Sequence, residues 1–331
     1  MTHKRLLRRT LLTGLGAALL AAPLMASPAA SQGKFPDKPI RMILPFGAGG
    51  VADVTSRIVA EKLSDKLGQR VVVENMPGPG GIAAARAVLQ APADGHTLAI
   101  LTNGTAVSVG LFKNLPFDPL KDFVPVSAMG YFDLLFVTNG SGPYKTLGDF
   151  IKAAKEKPGQ LNVGTIAAGS SQNLGAELFK SVSGLDFVIV PFKTSGEVLI
   201  GLERNDVQMA AEFYAALRGG LEAKKFIPVG ISGAKRGQYL PDAPTVQEAG
   251  VPGFEVTSWN AIFAPAGTPA EAVQVLNKAL NEVLADPEVR KRALELGIDA
   301  RGSTPDEIQA RLRDDIKKWT DVIEKAGIEK R

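Results

Sequence analysis

The chain contains no cysteine. That excludes disulfides, thiolate zinc sites, a cysteine nucleophile and a lipid-anchored cysteine. Histidine is almost as scarce, with only His3 and His96. His96 follows Asp94-Gly95 at a turn and reads as a strand-edge residue rather than a general base. There is no G-x-S-x-G elbow, Walker A loop or H-E-x-x-H motif. Asp and Glu are scattered without a spacing that singles out a pair, and nothing argues for a carboxylate metal site. Beyond the N-terminal segment, no uncharged apolar run reaches the about 20 residues a spanning helix needs. Four of the 38 Lys+Arg and none of the 34 Asp+Glu lie in residues 1–32, which leaves 34 of each sign in the rest. A chain of zero net charge gives no support for nucleic-acid binding.

The excess of positive charge therefore belongs to the N-terminal segment. Lys4, Arg5, Arg8 and Arg9 precede an apolar run from Leu11 to Ala22, and small residues follow, Ala26-Ser27-Pro28-Ala29-Ala30-Ser31. This is the pattern of a secretory signal peptide over residues 1–32, cleaved near Ala26 to Gln32. Arg8-Arg9-Thr10-Leu11-Leu12 also permits twin-arginine export, although a plain basic leader for Sec explains the pair more simply. The mature chain is expected free in the periplasm of a Gram-negative cell.

What the chain has in abundance is glycine at strand-to-helix turns. Ile40-Arg41-Met42-Ile43-Leu44-Pro45-Phe46 reads as a strand stopping at Gly47-Ala48-Gly49-Gly50. Helix-spaced Val51, Val54, Ile58, Leu63 and Leu67 follow, closed by Gly68. Val71-Val72-Val73-Glu74-Asn75 then meets a second loop, Pro77-Gly78-Pro79-Gly80-Gly81, and an alanine-rich helix. Such turns leave backbone N–H groups uncovered at a helix N-terminus, which carries roughly half a positive charge and attracts anions. Asp53 falls at the third helical position if Gly50 caps the helix, where it can reach back to the loop N–H groups.

Strands and helices continue to alternate. His96 to Leu101 reads as a strand ending at Thr102-Asn103-Gly104, and a proline-rich connection follows (Pro116, Pro119, Pro125). Val126 to Val137 is a long apolar stretch. A helix over Thr146 to Lys157 leads to strand Leu161 to Thr165, and Ser170 or Ser171 caps a helix closed by Gly184. Phe187 to Val190 is a strand, Glu197 to Glu203 a short helix, Val207 to Ala211 a strand, Phe213 to Lys224 a helix and Ile227 to Ile231 a strand. Phe254 to Phe263 reads as extended and the remainder as helical, with Thr268-Pro269-Ala270-Glu271 and Thr304-Pro305-Asp306-Glu307 as capping boxes. Alternation of this kind implies α/β with mostly parallel strands. Two such series, joined by extended runs near 128–138 and 254–263, imply two lobes with a cleft at the C-terminal strand ends.

A second anion platform is the run Gly164-Thr165-Ile166-Ala167-Ala168-Gly169-Ser170-Ser171, where the hydroxyls of Thr165, Ser170 and Ser171 add donors or simply cap the helix. Lys193 follows a buried strand and is either solvated or aimed into the cleft. Another reading of the first loop stays open. Gly47-Ala48-Gly49-Gly50-Val51-Ala52 fits G-x-G-x-x-A, and Glu74 stands where a ribose-binding acid would. That pattern belongs to an exported NAD(P)-dependent oxidoreductase. Nicotinamide cofactors are rarely available to a protein exported unfolded, and no hydride-transfer partner is evident.

Taken together, these segments resemble the Bug-type substrate-binding proteins of tripartite tricarboxylate transporters. The resemblance runs from Phe35 to near Lys325. It rests on Phe35-Pro36-Asp37-Lys38-Pro39-Ile40-Arg41, Pro45-Phe46-Gly47-Ala48-Gly49-Gly50-Val51-Ala52-Asp53, Gly68 to Asn75, Pro77 to Gly81, Asp94 to Leu98, Pro244 to Gly250 and Ala264 to Pro269. It implies a type II-like periplasmic binding fold of two lobes, each a mostly parallel sheet flanked by helices, made of residues 33–134 plus 256–331 and residues 135–255. It implies no catalysis and no cofactor, a monomer, and a small organic acid (a di- or tricarboxylate, or an aromatic carboxylate) delivered to membrane permease subunits. A sensor presenting the acid to a signalling receptor would need the same fold. Carried over by position, the ligand contacts are Phe46, Gly49, Gly50 and Asp53 on one platform and Thr165, Gly169, Ser170 and Ser171 on the other. Thr102, Asn103, Lys193, Thr194, Glu212 and Trp259 complete the set. Three positions depart from the family pattern. Asn173 stands for a histidine, Phe192 for a tyrosine, and Glu203-Arg204-Asn205-Asp206 for a glycine-rich turn. The first two remove polar groups and hint at a less polar or aromatic ligand. A carboxylate such as Glu212 beside an anion would repel it unless protonated or paired with a ligand ammonium.

Overall fold

The computed structural model describes residues 35–166 and 170–330. The signal-peptide segment and Gly169 lie outside them. Nine strands and ten helices alternate along the described chain. The first part runs β1 (Ile40–Leu44), α1 (Val51–Leu67), β2 (Val71–Asn75), a 3-10 turn (Pro79–Gly81), α2 (Ile82–Leu89), β3 (Thr97–Thr102), α3 (Asn103–Leu111) and β4 (Phe123–Asn139). Next come α4 (Leu147–Glu156), β5 (Asn162–Ile166), α5 (Ser171–Ser183), β6 (Val188–Phe192), α6 (Ser195–Glu203), β7 (Met209–Phe213), α7 (Tyr214–Glu222) and β8 (Phe226–Ile231). The chain ends with β9 (Thr257–Pro265), α8 (Ala270–Ala285), α9 (Pro287–Leu294) and α10 (Pro305–Lys325).

The strands form one curled sheet in the order β2-β1-β3-β9-β4-β7-β5-β6, with β8 also on β4. The outer strands pair in parallel, as βαβ units require: β1 with β2 and β3, and β5 with β6 and β7. The two returning strands make the sheet mixed. β9 runs antiparallel to β3 and β4, and β4 runs antiparallel to β7 and β8. At 17 residues, β4 is about 55 Å long, enough to belong to both halves of the sheet. It pairs with β9 as far as Asp133↔Thr257 and takes up β7 from Leu134↔Phe213. The change of partner thus falls between two consecutive residues.

β3 is buried along its whole length because it lies between β1 and β9. Gly68 and Gly184 close α1 and α5 with φ of 66° and 63°, a left-handed conformation that costs glycine nothing. Of the two expected capping boxes, Thr304 and Glu307 form theirs at the start of α10. The other does not form: Pro269 is the N-cap of α8, and the Thr268 hydroxyl donates to Pro265 O at 2.8 Å instead. β7 begins at Met209 rather than Val207. The larger surprise is α3, where the sequence reads as a strand end running into a connection. Asn103–Leu111 contains glycines and β-branched residues and has no polar face, so no amphipathic stripe announces it. Its helicity comes from burial against α10 and from the Thr102–Thr105 capping box. One apolar cluster, holding Val107, Leu134, Phe136, Phe179, Trp259 and Trp319, joins the two halves on one side of the sheet.

Candidate functional site

The carboxyl ends of β1 and β3 lie side by side, and a helix begins at each. α1 starts after Gly47-Ala48-Gly49-Gly50 with Gly50 as an N-cap that supplies no side chain, so its first N–H groups receive no side-chain cap. Asp53 is buried and sits at the third helical position, as the capping argument requires. Its Oδ2 accepts the Gly49 N–H at 2.9 Å, its Oδ1 accepts Asn75 Nδ2 at 2.9 Å, and the Arg57 guanidinium lies 2.9 Å away. Burial works to raise its pKa, but the hydrogen bonds from Arg57, Gly49 and Asn75 outweigh it and hold the carboxyl below the usual range. Its bonds tie the loop at Gly49 to the end of β2 at Asn75 and to Arg57 of α1. Asn75 also donates to Phe46 O at 3.0 Å, while the Phe46 ring is left 42% exposed at the rim.

At the end of β3, Thr102 caps α3, its hydroxyl accepting the Gly104 N–H at 3.1 Å. Asn103 is fully buried and faces two ways. Its Oδ1 accepts the Trp319 indole N–H at 2.6 Å, and its Nδ2 donates to Ser171 Oγ at 2.8 Å. Ser171 is the first residue of α5, on the other half of the sheet. This bond brings the start of α5 against the start of α3.

On that second half, Ser170 is the cap of α5, accepting the Asn173 N–H at 3.1 Å. Thr165 is turned inward, its hydroxyl donating to Ile166 O at 2.9 Å and accepting from Asn173 Nδ2 at 3.4 Å. The hydroxyl of Ser171 accepts from Asn103 and retains its own proton to donate. Thr194 caps α6, taking the Glu197 N–H at 3.2 Å. Lys193 beside it is exposed, and its ammonium forms no ion pair among the described residues.

Glu212 lies at the carboxyl end of β7 and is 1% exposed. Its Oε1 accepts Gln172 Nε2 and the Phe213 N–H, both at 2.8 Å, while Oε2 is buried without a partner. Burial is the main cause raising its pKa, against the lowering effect of Ser195, Phe213 and Gln172. Gln172 is the second residue of α5, so Glu212 stands directly behind the second platform. Sequence reasoning named Glu212 but not Gln172, the residue that ties it to the helix.

Some expected contacts are placed elsewhere. Trp259 is fully buried in the core, and its indole N–H is given to Asp315 Oδ2 at 2.6 Å. Phe192 turns its ring toward Gly201 and Gly164 behind the platform, and Asn173 is also buried there. Asn205 replaces glycine with φ of 63°, a left-handed conformation that asparagine tolerates. The dinucleotide look-alike fails at its acid. Glu74 is held bidentate by Arg41, at 2.7 Å on both oxygens, and is unavailable to a ribose. His96, between Asp37 and Asp94, marks the opposite end of β3 from the site. Among the described residues no group of side chains could hold a metal ion, and no helix is long and apolar enough to cross a membrane.

Known proteins are similar to this chain in sequence and in fold. Residues 55–328 match the family model described as "Tripartite tricarboxylate transporter family receptor". Protein BugT of Bordetella pertussis is 33% identical over 310 residues, 93% of each chain. Among solved structures, Rpa4515 of R. palustris with adipate superposes with a TM-score of 0.78 at 33% identity, covering 89% of this chain and 99% of that one. MatC of Rhodopseudomonas palustris with bound malate gives 0.74 at 32% identity, covering 87% and 100%.

Proposed function

Because the chain belongs to the tripartite tricarboxylate transporter receptor family, we propose that it captures a small organic dicarboxylate at the facing helix N-termini of its two lobes. It is a solute receptor and not an enzyme, its two-lobed α/β fold is that of periplasmic binding proteins, and its partners are a small acid and the permease of the transporter. The observation that carries the site is the Asn103–Ser171 hydrogen bond. It draws the start of α5 to the start of α3, next to the uncapped start of α1. Backbone N–H groups at such ends attract carboxylates without a cationic side chain.

In this reading one carboxylate rests on Gly49, Gly50 and the first turn of α1, with Phe46 at the rim. The other rests on the first turn of α5 at Ser170 and Ser171. Thr102 and Thr165 shape the two platforms, and Lys193 and Thr194 line the approach. The lobes run over residues 33–134 plus 256–331 and residues 135–255. The partner change of β4 between Asp133 and Leu134 and the start of β9 at Thr257 support those limits. Binding favours the closed arrangement because only there does one ligand touch both lobes. Adipate and malate, each bound by a neighbour of this fold, are the first ligands to try. The protein acts as a monomer, exported by the Sec or twin-arginine route on residues 1–32. Light scattering and the N-terminal sequence of periplasmic protein check those two points.

The test is thermal denaturation of the mature chain, freed of co-purified solute by refolding, against mono-, di-, tri- and aromatic carboxylates. A rise in Tm with a dicarboxylate is expected. No shift with any acid would overturn the reading.

A further inference from the structure

We propose that Glu212 couples anion capture to a proton, so that the second platform accepts a carboxylate only while Glu212 is neutral. The inference rests on the carboxylate-receptor reading and extends it to how the site is regulated. Glu212 has an asymmetric environment. Both N–H donors that reach it, from Gln172 and Phe213, go to Oε1; the Ser195 hydroxyl lies beside the carboxyl but makes no hydrogen bond of good geometry to buried Oε2. A carboxylate shares its charge between two oxygens and calls for donors at both. A carboxylic acid needs donors only at its carbonyl oxygen, while its hydroxyl gives its proton to an acceptor, a part the Ser195 hydroxyl oxygen beside it can play. The pattern is that of the acid, with its proton on Oε2.

The surroundings supply no counter-charge. Facing Glu212 are Gln172 from α5, Ser195 from α6 and the Phe213 N–H before α7, with Leu135 of β4 paired to it across the ladder. None of these is charged. Burial accordingly raises the group's pKa. The helix ends that could offset a negative Glu212 are the ones the ligand needs. Gln172 is the second residue of α5, and Glu212 itself lies two residues before the first of α7. A negative charge there would cancel the positive end of α5 and repel an incoming carboxylate over a short, water-poor distance. Neutral Glu212 leaves that end to the ligand.

The consequence is linkage. Where free Glu212 is ionised, binding must bring in a proton, and affinity falls by about tenfold per pH unit above the pKa of the free group. Below that pKa affinity is flat and no proton is taken up. Titration calorimetry of the mature protein with adipate, or with the acid giving the largest Tm shift, measures both quantities. The range is from about pH 6, where simple carboxylates are ionised, to about pH 9, in buffers of different protonation enthalpy. Uptake approaching one proton per ligand is expected at the alkaline end, together with weakening of Kd. Glu212→Gln keeps an uncharged amide in place of the acid. It should bind at neutral pH within a fewfold of wild type, with its Kd independent of pH and no proton uptake. Wild-type affinity that is flat across the range with no uptake would overturn the proposal. So would uptake that persists in Glu212→Gln, or a folded Glu212→Gln that no longer binds, which is the result expected if Glu212 pairs with a ligand ammonium. If the variant does not fold, the wild-type proton count decides. A protein that binds no acid at any pH fails the receptor reading itself, which the thermal panel detects independently.

Discussion

Asn103 stands between Trp319 and Ser171 with both ends of its amide engaged. Oδ1 accepts the indole N–H at 2.6 Å and Nδ2 donates to the serine hydroxyl at 2.8 Å. The C-terminal helix α10 therefore fixes the side chain that joins the two halves of the sheet. The amide is fully buried, so its removal is not repaired by solvent. Asn103→Ala should cost about 2 kcal/mol, because the Trp319 N–H is left unpaired inside the core. It should also weaken carboxylate binding by loosening the contact of α3 with α5. Urea denaturation gives the first quantity and calorimetry the second. A stability change below about 0.5 kcal/mol would mean that the amide is not the joint between the halves.

Asp53 fixes the first loop through Gly49, Asn75 and Arg57. Its folded-state pKa is depressed. The stability it contributes is thus present above the unfolded value of about 3.9 and is lost as pH falls through the folded one. Asp53→Ala should destabilise the protein by about 1–2 kcal/mol at neutral pH, with the difference shrinking in acid as the wild-type carboxyl protonates. It should also reduce ligand affinity, since Gly49 and Gly50 lose their anchor. Equal penalties at about pH 7 and about pH 3 would remove the carboxylate from this role.

Asp133 is the last residue of β4 to pair with β9, and it accepts the Thr257 hydroxyl at 2.7 Å. Burial pushes its carboxyl up to about 6, against that hydrogen bond. Here the sign is reversed. The folded state prefers the protonated acid, so stability is lost as pH rises from the unfolded value near 3.8 through about 6. The loss is up to about 3 kcal/mol. Asp133→Asn should be more stable than wild type at about pH 8, with the gap closing below about pH 4. Denaturation midpoints across that range measure it. A variant less stable than wild type at alkaline pH would show that the ionised carboxylate is a favourable part of the crossing.

Much of the site was legible because glycine and proline punctuate it. Gly47 to Gly50 and Pro77 to Gly81 had to be turns, Gly68 and Gly184 had to end helices, and Asp53 had to reach back to its loop. The helix α3 was not legible. Its residues have low intrinsic preference and are buried nearly all round, so it is tertiary packing, added to the Thr102–Thr105 capping box, that makes it helical. The Thr268-Pro269-Ala270-Glu271 string had the form of a capping box, but the threonine turns back to Pro265, a choice that depends on how β9 enters. The environment of Glu212 was equally hidden. Gln172 and Ser195 reach it from two different helices, and no local spacing encodes that meeting.

Trp259 separates what the resemblance implied from what the geometry allows. The ring lies on β9 opposite Tyr131, without exposed surface, and donates to Asp315, which Arg311 also approaches at 2.7 Å. A side chain placed in this way is expected to act on the fold. Trp259→Phe removes the N–H and part of the ring. It should cost about 1–3 kcal/mol, from the lost charge-assisted hydrogen bond and the volume left empty beside it. Carboxylate affinity at a temperature where the variant is fully folded should stay within about threefold of wild type, a difference of less than about 1 kcal/mol. Calorimetric titration of the folded variant decides. A loss of affinity beyond about tenfold, with the denaturation midpoint little changed, would return Trp259 to the ligand's surroundings and imply that the crossing strand rotates when the site is filled.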